Sequence, residues 1–150
     1  MAIPNKKAEI LAPPSSLDPD DERLIIPIYL NGKDPRPFIW VKASRINGKG
    51  FVKKKWLVDT GATRSTLCEK DAQILKLKSR GSIKVKSAMG STRRNVVNIA
   101  VQTLLSGKPS DNGKITSSTI LAPTIRKSTI GHSILGIDWI CKIQPRFEYY

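Results

Sequence analysis

Asp59 is the side chain best placed to do chemistry in this chain. It ends the apolar run Trp56-Leu57-Val58 and is followed at once by Thr60, Gly61 and Ala62. That order puts a carboxylate at the tip of a strand, in a tight turn whose backbone N–H groups can hold it. Two carboxylates sharing one proton can activate a water and protonate a leaving group, because like charges about 3 Å apart cannot both ionise. The sequence has one such turn, so a paired site needs a second copy of the chain across a two-fold axis. Thr60 would then hydrogen-bond across the axis. Gly61 is expected to permit an unusual φ and a close approach of backbone N–H to carboxylate.

Other chemistries have little to work with. His132 is the only histidine, and no nucleophile is placed beside it. Cys68 and Cys141 are too few for a disulfide scaffold and lack metal-ligand spacing, so neither a metal nor a cofactor is expected. The net charge of +14 is concentrated mid-chain, where residues 51–100 hold 12 basic and 3 acidic side chains. Lys53-Lys54-Lys55 and Arg93-Arg94 are therefore either a solvated surface or a weak, salt-dependent nucleic-acid contact. No zinc knuckle, aromatic RNA-binding motif or helix-turn-helix pattern accompanies that charge. No apolar run is long enough for a spanning helix, and the N-terminus lacks the apolar core of a secretory signal. No membrane partner is expected.

The elements that must position Asp59 read as mostly β. Residues 1–23, with Pro13-Pro14-Ser15-Ser16 and the acidic Asp18-Pro19-Asp20-Asp21-Glu22, read as a tail or linker, and residues 24–150 as one domain. Leu24 to Leu30 is an apolar run whose Pro27 suggests an edge strand. Phe38 to Val41 and Phe51-Val52 flank Asn47-Gly48-Lys49-Gly50, a hairpin whose second arm runs into Asp59. A helix is expected over Cys68 to Leu75, capped by Thr66 and Glu69, with Leu67, Ala72 and Leu75 facing the core. Ser82 to Lys86 alternates as a half-exposed strand, Ala88-Met89-Gly90-Ser91 is a turn, and Val96 to Val101 is the return arm. Residues 106–118 read as a surface loop. Ile120 to Ala122 and Ile134 to Gly136 are further strands, and Asp138 to Lys142 a helical turn before the C-terminal strand. Short strands without a βαβ rhythm predict an all-β domain, a closed barrel or sandwich with one or two short helices.

The Val58 to Ala62 turn and the later Ile134-Leu135-Gly136-Ile137-Asp138-Trp139-Ile140 together resemble the retroviral-type aspartic proteases, or retropepsins. The version with Leu-Gly-Ile-Asp-Trp-Ile is similar to those of gypsy-like long-terminal-repeat retroelements. The resemblance implies a retropepsin-like acid protease fold, one half of a two-fold dimer, with Asp59 catalytic and Thr60 and Gly61 holding the dyad. It implies that Ile134, Leu135 and Gly136 pack behind the catalytic turn. Ala62 and Thr63 would line the substrate cleft, and Ala88, Met89, Gly90 and Ser91 would form the tip of a flap hairpin closing over a peptide. The last residues, from Lys142 to Tyr150, would contribute to the dimer interface. Many retroviral members pair an Asp two residues after the motif Gly with an Arg after the later Gly. Thr63 and Ile137 stand there instead, so that ion pair is missing. The activity implied is a homodimeric aspartic endopeptidase processing a retroelement polyprotein, in the cytoplasm or inside virus-like particles rather than secreted. The alternatives are a catalytically silent module of the same fold that dimerises or binds partners, and a basic nucleic-acid-binding β domain.

Overall fold

Alternation of buried and exposed residues sets the central hairpin. The computed structural model describes residues 23–87, 90–103, 118–127 and 131–150. Strands β2 (Phe38–Ser44) and β3 (Phe51–Val58) pair antiparallel, with Phe38 opposite Leu57 and Ser44 opposite Phe51. Ile39, Val41 and Ala43 on β2, and Val52, Trp56 and Val58 on β3, point into the core while their neighbours face out. The turn of this hairpin contains Asn47 and Gly50, both at positive φ.

Around this hairpin a seven-stranded sheet forms in the order β8-β7-β2-β3-β10-β4-β9. Its other members are β4 (Thr66–Cys68), β7 (Ile99–Thr103), β8 (Thr119–Leu121), β9 (Thr124–Arg126) and β10 (Ile134–Leu135). The sheet curls until its ends meet: Val96, just before β7, bridges Thr124 of β9, and Val97 N–H donates to the Pro123 carbonyl at 3.1 Å. The curl wraps one core, led by the buried Trp56, Trp139, Ile39, Leu67, Ile99 and Leu135. The all-β architecture with few short helices is as expected.

Four details depart from the sequence reading. Helix α1 is Glu69–Ile74, and Thr66 lies in β4 rather than capping it; the helix starts at Cys68 with no side-chain cap. Thr66 has β-strand pairings to satisfy, to Ile134 on one side and Thr124 on the other, and tertiary pairing overrides the local capping signal. The separate two-stranded hairpin is β5 (Ser82–Ser87) with β6 (Gly90–Asn95), so its return arm is residues 90–95, not Val96 to Val101. Ser91 to Asn95 contains no apolar residue, so nothing in its pattern marks a strand; it pairs as a two-stranded ribbon that needs no buried face. Val96 to Val101 instead enters the core sheet through Val97, Ile99 and Val101. Strands β4 and β9, three residues each, were not expected at all.

The first and last strands pair. Strand β1 (Ile25–Ile28) pairs in parallel with β11 (Arg146–Tyr149), and Leu30 N–H extends the ladder to the Tyr150 carbonyl at 2.8 Å. Helix α2 (Ile137–Ile143) delivers β11: Gln144 takes a left-handed cap conformation and Pro145 stops the helix. Ala88 and Met89, the tail before Arg23 and most of the 106–118 loop lie outside the described residues.

Candidate active site

Asp59 leaves β3 into a tight turn, with Ala62 N–H donating to the Asp59 carbonyl at 3.2 Å. The parallel strand β10 clamps the approach. Leu57 N–H donates to the Ser133 carbonyl at 3.0 Å and Asp59 N–H to the Leu135 carbonyl at 2.9 Å. The carboxylate itself is held from below by Gly61 N–H, 2.8 Å from Oδ1. Such a charge-assisted bond fixes the carboxylate without neutralising it.

Gly61 serves by its size rather than by an unusual φ. It is not among the residues at positive φ, but a Cβ there would sit 3.2 Å from Asp59 Oδ1. Gly136 is more constrained: a Cβ would meet the Ala62 carbonyl oxygen at 2.5 Å and the Arg64 carbonyl carbon at 2.9 Å. The Ile134-Leu135-Gly136 stretch therefore packs directly behind the turn. Thr60 is exposed, and its hydroxyl bonds to no described residue.

Where the ion pair of many retroviral members would stand, backbone bonds take over. Ile137 N–H donates to the Ala62 carbonyl at 2.8 Å and Asp138 N–H to that of Thr63 at 3.3 Å. Ala62 and Thr63 thus seat the N-terminus of α2. Beside them Asp138 Oδ1 accepts from Ser65 N–H at 2.9 Å, Ser65 Oγ at 2.7 Å and Trp139 N–H at 2.9 Å. Ser65 Oγ in turn accepts from Gly136 N–H at 3.0 Å. Neither Ser65 nor this role of Asp138 was singled out from the sequence. The signal was available: a Ser three residues after Ala62, and an acid in the first turn of the expected helix.

A cleft of about 440 Å³ opens at Asp59 and Thr60, walled by Arg36, Pro37, Leu57, Ile28, Phe147 and Tyr149. Among the described residues Asp59 is the one carboxylate lining it. The terminal ribbon β1–β11 therefore reaches the Asp59 turn, which no sequence pattern indicated. Arg36 is engaged at the rim by Asp34, with its Nη2 2.7 Å from Oδ2, and lies 5.1 Å from the Phe38 ring centre. The Arg36 guanidinium holds the Asp34 carboxyl down at about 2. Phe38 meets His132 edge-on at 5.5 Å, and burial together with Arg36 and Arg126 lowers the His132 pKa. Gly90 and Ser91 begin β6, opposite Ser87 and Lys86, and no described residue of that hairpin lines the Asp59 cleft of the single chain. Among the described residues no cluster of His, Cys, Asp or Glu could hold a metal ion. No helix among them is long and apolar enough to cross a membrane.

A carboxylate at a strand tip is thus held by a glycine N–H and backed by the parallel strand of Ile134 and Leu135 that ends at Gly136. The chain belongs to the aspartyl protease family, whose profile matches residues 43–139, from the end of β2 through Trp139 of α2. Solved structures with similar folds include the EIAV protease in complex with an inhibitor, at 18% identity over 77% of this chain and 94% of that one, TM-score 0.46. A retropepsin-like aspartic protease from Rickettsia conorii matches at 23% identity over 74% and 82%, TM-score 0.44. The retroviral protease-like domain of a Leishmania major protein matches at 18% identity over 71% and 78%, TM-score 0.42. A search of curated proteins gives no match.

Proposed function

We propose that the protein is an aspartic endopeptidase whose active unit is a homodimer with Asp59 of each copy at the two-fold axis. The observation that carries this reading is the lone carboxylate of the cleft, supported by the Gly61 N–H and flanked by the free hydroxyl of Thr60. One carboxylate cannot be base and acid in the same step; two sharing a proton can. The ionised Asp59 takes a proton from water, which attacks the peptide carbonyl. The protonated Asp59 of the other copy donates to the carbonyl oxygen, giving a gem-diol. As this collapses, the carboxyl that took the water proton passes it to the scissile nitrogen, the C–N bond breaks, and a gem-diol hydroxyl returns its proton to the other carboxylate. Thr60 of each copy bonds across the axis and keeps the two carboxyls coplanar. Ala62, Thr63 and the 88–91 tip contact the peptide, with the hairpin closing to exclude water.

An exposed apolar patch supports the dimer. Tyr29, Leu30, Tyr149 and Tyr150 are more than half exposed, Tyr29 and Tyr150 stack at 5.6 Å, and Tyr149 also walls the Asp59 cleft. Each strand of the β1–β11 ribbon has one edge with no strand beside it among the described residues, and a second copy can pair there. The Leu-Gly-Ile-Asp-Trp-Ile stretch supports a retroelement polyprotein as the substrate, processed in the cytoplasm or in virus-like particles. The test is cleavage of a peptide library by wild type and by Asp59→Asn, with and without a pepstatin-like inhibitor. Cleavage lost to both substitution and inhibitor supports the dyad. No cleavage by a wild-type protein that sediments as a dimer would favour a silent binding module.

A further inference from the structure

On the far side of the sheet's edge strand a second cleft of about 600 Å³ lies between α1 and the β5–β6 hairpin. It shares no lining residue with the Asp59 cleft. Among the described residues four cations line it, Lys76, Arg93, Arg94 and Lys127, against the single carboxylate of Glu69. None of the four has an acidic partner among the described residues; Arg93 spends one N–H on Ser82 Oγ at 3.3 Å. Elsewhere the chain pairs its cations where an acid is at hand, as at Arg36 and Lys54. Cations gathered around a concave surface and left unpaired repel one another unless an anion enters.

We propose that this cleft docks an acidic stretch of a partner polypeptide. The guanidinium groups of Arg93 and Arg94, both of which line the cleft, suit carboxylates, whose two oxygens match a guanidinium fork. Ala72, Leu77 and Ile125 give the cleft an apolar wall that accepts an aliphatic side chain between acidic ones. No aromatic residue lines it, so it lacks the stacking platform on which single-stranded nucleic acid binds. The occupant is therefore an acidic peptide segment rather than RNA. Because β6 is one arm of the hairpin, an occupant here bears on the same element that would close over Asp59. The docking itself needs no proteolysis and does not depend on the reading of Asp59.

The test is fluorescence anisotropy on the full chain with a labelled ten-residue peptide of aspartates and glutamates around one leucine. The comparison probes are the same peptide with asparagine and glutamine, and a labelled ten-nucleotide oligouridylate. The acidic peptide is expected to bind, to weaken as salt rises, and to lose about tenfold in affinity in Arg93→Gln/Arg94→Gln. Lys53→Gln/Lys55→Gln, equal in charge removed but on β3, is expected to leave affinity unchanged. Both variants change exposed or half-exposed positions, and a matching thermal melt verifies their fold. The proposal is overturned if the amide peptide binds equally, if the oligouridylate binds more tightly than the acidic peptide, or if the two variants weaken binding alike.

Discussion

Asp138 reaches from the first turn of α2 to grip Ser65, accepting from its N–H at 2.9 Å and its Oγ at 2.7 Å. The two residues are 73 positions apart, and Ser65 is fully buried. Through the Ser65 hydroxyl the grip passes to Gly136 N–H, so the exit of the Asp59 turn, the strand behind it and the helix after it form one unit.

Ser65→Ala is expected to cost about 1–3 kcal/mol, because it strands a buried Gly136 N–H and removes one of the three donors to Asp138 Oδ1. Asp138→Asn keeps an acceptor oxygen and is expected to cost less than Asp138→Ala. Urea denaturation of the three variants measures the order. Equal losses for Asp138→Asn and Asp138→Ala would show that the bonds to Ser65 do not matter.

The two site glycines separate fold from function. Gly136→Ala drives a Cβ into two backbone groups that cannot yield, and about 3 kcal/mol or more of stability should go with it. Gly131→Ala, with nothing within 4 Å of the new Cβ, is the neutral control. Gly61→Ala should fold, since its one close contact is a side-chain oxygen at 3.2 Å, yet displace the Asp59 carboxylate and cut peptide cleavage about tenfold or more. Melting curves beside cleavage rates distinguish the three.

Lys54 Nζ sits 2.6 Å from Oδ1 of the buried Asp71, whose Oδ2 takes the Ser133 hydroxyl at 3.3 Å. Asp71 is 1% exposed and Lys54 about one-third, so removing the lysine leaves a carboxylate with little water. Lys54→Met is expected to cost about 2–4 kcal/mol, and Lys54→Met/Asp71→Leu much less than the sum of the single changes. A double-mutant cycle in urea measures the coupling; additive losses would refute it.

His132 offers a clean pH readout, being the only histidine. Burial, then Arg36 and Arg126, lower its folded pKa below the ordinary 6.5. Above pH 6.5 it is neutral folded or unfolded and adds nothing to the pH dependence. As pH falls below 6.5 the unfolded chain takes up a proton first, so stability declines until the folded pKa is passed. Asp34 acts lower, with stability present above its ordinary 3.8 and lost as pH falls through about 2. NMR titration of the imidazole should give a pKa below 6.5, rising in Arg36→Gln. A value at or above 6.5 would contradict the packing described.

The dimer is testable apart from catalysis. Leu30→Asp/Tyr150→Asp charges the exposed patch beside the terminal ribbon and should shift sedimentation from dimer to monomer, with cleavage lost in parallel. Cleavage retained by a monomer would refute the shared dyad.

Much of this was legible from residue types. The β2–β3 hairpin shows in its alternation and its Asn-Gly turn, and β3 running into Asp59 shows in Trp56-Leu57-Val58. Leu67, Ala72 and Leu75 face the core as expected. Less visible were β4 and β9, whose three residues are too few for a period and are strands only because β10 and each other lie alongside. The polar β6 was hidden because its partner is a hairpin arm and not a core. The same limit hid the walls of the Asp59 cleft, since Ile28, Arg36, Phe147 and Tyr149 come from opposite ends of the chain.

The sequence by itself determined the carboxylate at the tip of β3, its turn, the small residues that let the chain close around it, and the all-β character of the domain. These depend on neighbours along the chain, where hydrophobic alternation and glycine act locally. Only the tertiary structure decided that Ser65 answers to Asp138, that the first and last strands pair beside the site, and that cations without an acidic partner among the described residues converge on one cleft. Each of those is a contact between residues far apart in sequence, and no local preference can specify which distant group arrives.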